Sequence, residues 1–280
     1  MTGAVRRKHT PFTVLLMGLL VFNTFCVVVP LLVALVSSFK STAEIMNDPF
    51  GLPEAFSVAN FAKVLGEGNF DIYFRNSVLV TLGSEAIILS LSAMAGYALG
   101  RYRFRLNNLL YTMILMGLMI PAKLLLVPLF LQLKQMGLLD SLWSLILVYA
   151  AGGIPAGVFI MTGFFRALPG ALEAAARIDG ANEWTVFHRI MLPLVRPPLV
   201  IVAIYTAIPI WNDFLLPIVF ISSPNLKTVP QGLSVFFGEH AVNMGALFAG
   251  LTISALPLVA LYLVLSEQFI KGLTAGAVKG

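Results

Sequence analysis

From Thr13 to Val36 the chain runs 24 residues without a charged side chain, directly after Arg6, Arg7 and Lys8. A helix of about 20 apolar residues crosses a hydrocarbon core of about 30 Å. The run is too long for the apolar core of a signal peptide and no small-residue cleavage site follows it, so it reads as a first membrane anchor. Five further apolar runs recur, at Phe74–Gly100, Leu109–Leu133, Leu142–Phe165, Pro198–Ile221 and Gly245–Ile270. Six spans account for a composition that is 59% apolar and only 11% charged. A soluble domain is about 25% charged, and that much apolar surface cannot be hidden in one soluble core. Disorder needs the opposite balance. Pro121, Pro128, Pro155, Pro209, Pro217 and Pro257 fall inside the spans and predict kinks, which a packed bundle tolerates.

Lysine and arginine placement orients the spans. With the N-terminus inside, the inner segments hold Arg6, Arg7, Lys8, Arg101, Arg103, Arg105, Arg166, Arg177, Arg189, Arg196, Lys271 and Lys279. The outer segments hold only Lys40, Lys63, Arg75, Lys134 and Lys227, together with most of the acids. That is the positive-inside pattern, with both termini cytoplasmic. The basic balance therefore reports topology and gives no reason to expect nucleic acid. The expected organisation is a cytoplasmic N-terminus (1–12), an all-α membrane domain (13–270) with outer loops at 37–73 and 222–244 and a cytoplasmic segment at 168–193, and a tail (271–280). Neither outer loop is long enough for an independent core.

Catalytic signatures are missing. There is no G-x-x-x-x-G-K-[ST] loop for ATP phosphates, no H-E-x-x-H and no G-x-S-x-G. His9, His188 and His240 are scattered and Cys26 stands alone, so neither a metal centre nor a disulfide is expected. Transport fits better than catalysis, with no cofactor bound by this chain.

Three charges fall inside spans: Glu85, Lys123 and Asp213. Exposed to lipid, they would together cost roughly 8–10 kcal/mol on the insertion scale. They must face the bundle interior, pair with one another, or line a wet path; Lys123 could also reach the outer interface. Asp213 is the stronger pathway candidate. Trp211, Asn212 and Asp213 supply a stacking face, an amide and a carboxylate, the groups that sugar-like ligands use. Consecutive helical residues diverge, so at most two of them point into one cavity. Gly96-x-x-x-Gly100 and Gly153-x-x-x-Gly157 permit close helix approach.

The cytoplasmic segment is the most patterned. Pro169-Gly170 marks a turn, Leu172–Ile178 forms a helix, and Asp179-Gly180 breaks it through a left-handed glycine. Asn182 caps a second helix that Pro193 closes. On that helix Trp184, Phe187 and Met191 make an apolar stripe, either a plug for a partner's groove or a face packed on the chain's own helices.

At these residues the sequence resembles the permease subunits of ATP-binding-cassette importers, whose cytoplasmic signature is E-A-A, three residues, G, nine residues, I-x-L-P. Gly180, Ile190, Leu192 and Pro193 match in spacing, with Ala175, Asp179 and Ala181 beside them. Six residues before Gly180 stands Ala174, where the family usually has the glutamate that helps anchor the segment to the ATPase; Glu173 lies one residue earlier, about 100° around the helix. Trp211-Asn212-Asp213-Phe214 is similar to the Trp-Asn-Glu/Asp-Phe of carbohydrate-type permeases. Ala98–Phe104 and the terminal Gly272, Leu273, Thr274, Ala275 and Gly276 resemble the smaller permease of maltose-type importers.

The resemblance implies a six-helix type I importer permease in a prokaryotic plasma (inner) membrane, translocating a sugar or sugar-like solute. It implies a second homologous permease, two ATP-binding-cassette subunits that use the ATP and Mg, and an extracytoplasmic solute-binding protein. It assigns ATPase coupling to 168–193, including Trp184 and Phe187, and a further ATPase contact to Gly272–Gly276. Glu85 joins the 211–213 run as substrate pathway, and Gln231, Phe236 and Phe237 become the contact with the binding protein. Two alternatives stay open: the same machinery carrying glycerol-phosphate-type or other polar solutes, and an ion-coupled secondary transporter using Glu85, Lys123 and Asp213 as a relay.

Overall fold

The computed structural model describes residues 11–67, 69–234 and 243–277, and among these the secondary structure is entirely helical. Residues 1–68 with 233–253 form one compact unit and residues 69–232 with 254–280 the other.

In the first unit, α1 (Pro11–Ser37) carries apolar side chains that are almost all exposed, as a helix bathed in lipid requires. The segment that follows is built from α2 (Thr42–Asn47) and α3 (Ala59–Glu67). A capping box starts α2: Ser41 accepts from the Glu44 amide and Glu44 accepts from the Ser41 amide. Those backbone and side-chain donors hold the Glu44 carboxyl below its ordinary range. Lys40 is buried, and its Nζ donates to the Asp48 carbonyl at 2.9 Å. Asn60 ties the same segment by donating to the Ser38 and Lys40 carbonyls.

The second unit is organised around α4 (Phe70–Arg101) and α7 (Leu142–Ala167). Their contact is set by small residues. A side-chain carbon added at Gly96 would stand 2.6 Å from Met161 Cβ, and one at Gly100 3.1 Å from Phe165 Cβ. Added at Gly153 it would meet Ile88 Cδ1 at 2.5 Å, and at Gly157 it would meet Ser92 Oγ at 2.1 Å. Both glycine pairs therefore serve packing within the chain, where bilayer helices gain stability from close van der Waals fit. The interface seals a core of Val80, Ile88, Leu145, Val158, Met161 and Phe165.

Between α4 and α7 the expected third span is broken. Helix α5 (Asn107–Met116) passes through single 3-10 turns at Gly117–Met119 and Ala122–Leu125 into α6 (Leu126–Gln135), with an 84° bend. Pro121 stands at the break, where it can neither donate a backbone hydrogen bond nor allow helical geometry before it.

After α7 the chain forms α8 (Ala171–Ile178) and then α9 (Glu183–Thr185), a π-helical turn (Val186–Met191) and α10 (Leu192–Leu194). Pro193 does not close the second helix as expected. Its missing N–H leaves the Arg189 carbonyl without an α-helical donor, and the chain responds by widening to π geometry, with the Leu192 amide bonding to the Phe187 carbonyl. The helical run breaks two residues later at Val195 and turns by 73° into α11 (Arg196–Asn212). The expected fifth span is also interrupted: α11 stops at Asn212 and α12 (Leu215–Phe220) restarts it. Pro217 lies four residues beyond Asp213 and cannot bond to its carbonyl. Helix α13 (Val229–Leu233) follows, and α14 (Met244–Ala277) ends the described chain, running past the expected boundary at Ile270.

By length and composition, four helices (α1, α4, α7, α14) can cross a membrane, and up to six spans result if each bent pair counts as one.

Candidate functional site: a braced segment after α7 and a cavity beside α11

Two features concentrate the polar chemistry of the second unit. The first is the segment after α7. Leu168 leaves α7 in an extended conformation and α8 follows. Gly180 ends that helix at φ +81°, in the left-handed region, and the Ala181 amide closes back on the Ala176 carbonyl at 3.0 Å. Asn182 then caps α9 by accepting from the Thr185 amide at 2.8 Å. Both sequence expectations for this turn hold.

Glu173 is turned inward. Its carboxylate receives Arg101 Nε at 2.8 Å and Nη2 at 3.1 Å, a bidentate pair with both side chains largely buried. Arg101 Nη1 also donates to the Phe165 and Leu168 carbonyls, and Arg166 Nη2 donates to the Leu99 carbonyl. The arginine ending α4 thus caps α7, and the one ending α7 caps α4, each supplying orphan carbonyls with donors and complementing the helix dipole. Arg101 was legible as a topology marker and as part of the Ala98–Phe104 resemblance, not as an ion-pair partner. Nothing in the sequence joins it to a glutamate 72 residues away.

A second, exposed pair spans the turn: Arg177 donates to Glu183 at 2.8 and 3.1 Å, and Tyr102 adds a 2.5 Å bond to the same carboxylate. Arg177, then Tyr102, lowers the Glu183 carboxyl from its ordinary range, and Glu183 in turn raises the Arg177 guanidinium. The apolar stripe divides. Phe187 packs at 5.1 Å from the Tyr97 ring and Met191 is fully buried, so those two face the chain's own helices. Trp184 remains 62% exposed and Ile178 85% exposed. Ala174 and Ala175 lie on the exposed face of α8, as does Asp179 at its end; Ile190 and Leu192 are half-buried. The braced element thus presents an apolar tip outward.

The second feature is a cavity of about 440 Å³ beside the break between α11 and α12. Its polar lining is Lys123, Tyr149, Tyr205, Thr206 and Asp213, with Gly152 and Gly153 forming its floor. Asp213 accepts the Tyr149 hydroxyl at 2.7 Å and caps α12 by accepting from the Leu215 and Leu216 amides. Trp211, Asn212 and Asp213 diverge, as helical geometry demanded. Trp211 is buried, its Nε1 donating to the Ser254 carbonyl at 3.0 Å and its ring edge-on to Phe74, so it supplies packing and no stacking face. Asn212 is exposed. Glu85 is buried between spans and accepts from Thr206 Oγ1 at 2.6 Å. It makes no ion pair with Lys123 among the described residues.

Between α6 and α7, Asp140 accepts from the Ser222 and Ser223 amides and from the Ser223 hydroxyl, which holds its carboxyl below the ordinary range. Gln231 is not presented outward. It is buried, with Nε2 donating to the Ile221 carbonyl at 3.0 Å, because α13 folds back on the loop before it. Phe236 and Phe237 lie outside the described residues. Gly272–Gly276 fall within the last turns of α14. Tyr149, Tyr205 and Thr206 escaped sequence reasoning, since single polar side chains in apolar spans carry no periodic signal.

The described residues are all helical, with several membrane-length helices and a mostly apolar cavity carrying a few polar groups, the architecture of a multi-pass membrane protein. Residues 89–274 match the model of the binding-protein-dependent transport system inner membrane component, and the chain belongs to that family, the ABC transporter permeases. A putative ABC transporter permease (ORF2) of Caldicellulosiruptor is 39% identical over 90% of this chain and 92% of its own length. The diacetylchitobiose uptake permease NgcG of Streptomyces coelicolor is 37% identical over 92% and 86%. The arabinooligosaccharide permease AraQ of Halalkalibacterium halodurans is 34% identical over 99% and 100%. The fold superimposes on a chain of a bacterial ABC importer of the polysaccharide alginate with a TM-score of 0.82 at 23% identity, covering 96% of this chain and all of the other.

Proposed function

We propose that this chain is one of two membrane subunits of an ATP-driven importer of oligosaccharides or related sugars, with six spans and both termini cytoplasmic. The observation that carries the reading is the segment from α8 to α10. A surface element braced by a buried ion pair, yet presenting Ile178 and Trp184 to solvent, is built to receive force from a partner. The arginine-rich ends of α4 and α7 support a cytoplasmic position for it, where separate ATP-binding subunits would grip it. ATP binding there closes the partner dimer, displaces the segment and shifts the bundle between inward- and outward-facing arrangements, a population shift driven by unequal contact with two partner states. Hydrolysis by the partner, with Mg, resets it, and this chain performs no catalysis.

The sugar assignment draws on relatives named for diacetylchitobiose and arabinooligosaccharides. The cavity chemistry is compatible: Tyr149 and Tyr205 offer ring faces, and Asp213 accepts hydroxyl protons. An extracytoplasmic binding protein would deliver the solute to the outer segments.

The test is purification of the tagged chain in mild detergent with mass spectrometry of what accompanies it. Recovery of a P-loop ATPase and a second permease, with uptake of an oligosaccharide into proteoliposomes only when ATP is inside, is the expected result. A chain that purifies alone and moves solute down an ion gradient refutes it.

A further inference from the structure

We propose that the basic cavity at the joined ends of α4, α5 and α7 is a binding site for the headgroup of an anionic phospholipid. The cavity has a volume of about 660 Å³, and its polar lining includes the four arginines Arg101, Arg103, Arg105 and Arg166 with Asn107, Asn108 and Tyr102, whose hydroxyl is taken up by Glu183. No carboxylate is in the lining. Two of the four arginines are committed inside the protein: Arg101 to Glu173 and the α7 carbonyls, and Arg166 to the Leu99 carbonyl and the Tyr111 ring, 5.0 Å from its centroid. Asn107 is likewise occupied by the Leu99 and Tyr102 carbonyls. Arg103 and Arg105 are exposed and form no ion pair among the described residues. The Arg101 charge is offset by Glu173. Arg166 has no carboxylate partner among the described residues and keeps its positive charge in the lining, and the two free guanidiniums offer planar forks suited to a phosphate.

A dissolved anion would need nothing more than that. The structure adds an apolar flank: Phe104, Leu106, Leu109, Leu110 and Met113 are exposed around the same turn and along α5, and α5 buries no residue at all. A ligand with a phosphate at one end and acyl chains at the other meets both surfaces. Basic pockets between spans at the cytoplasmic side are where anionic headgroups are held. The inference rests on the cytoplasmic placement of this end given under the proposed function.

Native mass spectrometry of the purified chain tests it, with phosphatidylglycerol and phosphatidylcholine titrated separately. Phosphatidylglycerol should be retained at least tenfold more strongly. The double variant Arg103→Gln, Arg105→Gln should lose roughly thirtyfold in its affinity, the effect of two interfacial charges, while melting at the wild-type temperature. Equal retention of the two lipids, or undiminished retention by the double variant, overturns the proposal. So does displacement of the lipid by millimolar inorganic phosphate, which makes the site a free-anion site, or by the assembled ATPase or second permease, which makes it a protein interface. Orientation is read separately: in a Cys26→Ser background, Ile178→Cys should resist an impermeant maleimide applied to intact cells. Labelling there would refute the placement without touching the lipid result.

Discussion

Removing Glu173 tests whether the segment after α7 is a braced lever or a loose loop. In Glu173→Ala the Arg101 guanidinium stays where it is, with a side chain 11% exposed, and loses two charge-assisted bonds of 2.8 and 3.1 Å. It keeps the bonds from Nη1 to the Phe165 and Leu168 carbonyls. Breaking a buried pair by deleting one partner costs about 3–5 kcal/mol, and the retained carbonyl bonds put this case near the lower end. The cost falls on the docking of α8 and not on the α4–α7 core, which packs through other residues. About 3 kcal/mol at about 1.36 kcal/mol per decade is roughly two decades in the local opening equilibrium. Amide hydrogen exchange of the peptide covering α8 should therefore speed up roughly a hundredfold, while the middle of α7 is unchanged. The double variant Arg101→Met, Glu173→Leu removes both charges and should recover most of the protection, because no buried ion is left unpaired. Exchange within threefold of wild type in Glu173→Ala would refute the brace. A double variant no better than the single would refute the electrostatic explanation for it.

Gly157→Val should lower the melting temperature of the purified chain markedly, since its first carbon already falls 2.1 Å from Ser92 Oγ and overpacking costs about 1–3 kcal/mol or more. Gly163→Ala on the same helix meets nothing within 4 Å and should melt at or slightly above wild type. Asp213→Asn keeps an acceptor for capping α12 but removes the cavity's carboxylate, so proteoliposome uptake should drop at least tenfold with unchanged melting; unchanged uptake would assign Asp213 to capping alone. Trp184→Ala with Ile178→Ser should abolish solute-stimulated ATPase activity of the assembled transporter while leaving the chain's fold intact by circular dichroism, because both side chains are exposed. The Asp140 carboxyl is lowered by its Ser223 and Ser222 donors. Its contribution is thus present above the ordinary aspartate pKa and is lost as pH falls through the lowered value. Protection factors of the Ser222 and Ser223 amides should hold at pH 6 and collapse only in strong acid; a collapse near neutrality would contradict the assignment.

Much of this architecture was written in charge and hydropathy. The charge-free run at 13–36 and the long runs ending at Gly100 and Phe165 became α1, α4 and α7 with ends shifted by only a few residues. Gly180 and Asn182 announced the turn between α8 and α9 because each does locally what only its side chain permits. Hydropathy was blind to the breaks at Pro121 and Asp213, since a bent pair of short helices is as apolar as one straight span. The π turn was hidden for a related reason: Pro193 signals a lost donor but not whether the helix ends or widens. Side-chain direction was the least legible. Trp211 faces Ser254 and Gln231 faces Ile221, because partners distant in sequence or folded back across a loop decide where a polar group turns. The ion pair of Glu173 with Arg101 belongs to the same class.

The glycine-lined seam between α4 and α7 also fixes where motion can occur. A pair of long helices meshed at Gly96, Gly100, Gly153 and Gly157 cannot slide past one another without driving backbone into side chains. It behaves as an incompressible spar. Rotational freedom is left to the interruptions: the turns around Pro121, the corner at Val195 and the gap at Asp213 and Phe214. Under the proposed function, a displacement applied at α8 would reach the spar through Arg101 and reappear as rotation at these joints, one of which borders the cavity. Cross-links stitched along the spar should leave transport running, whereas a single staple across the joint at Asp213 should stall it.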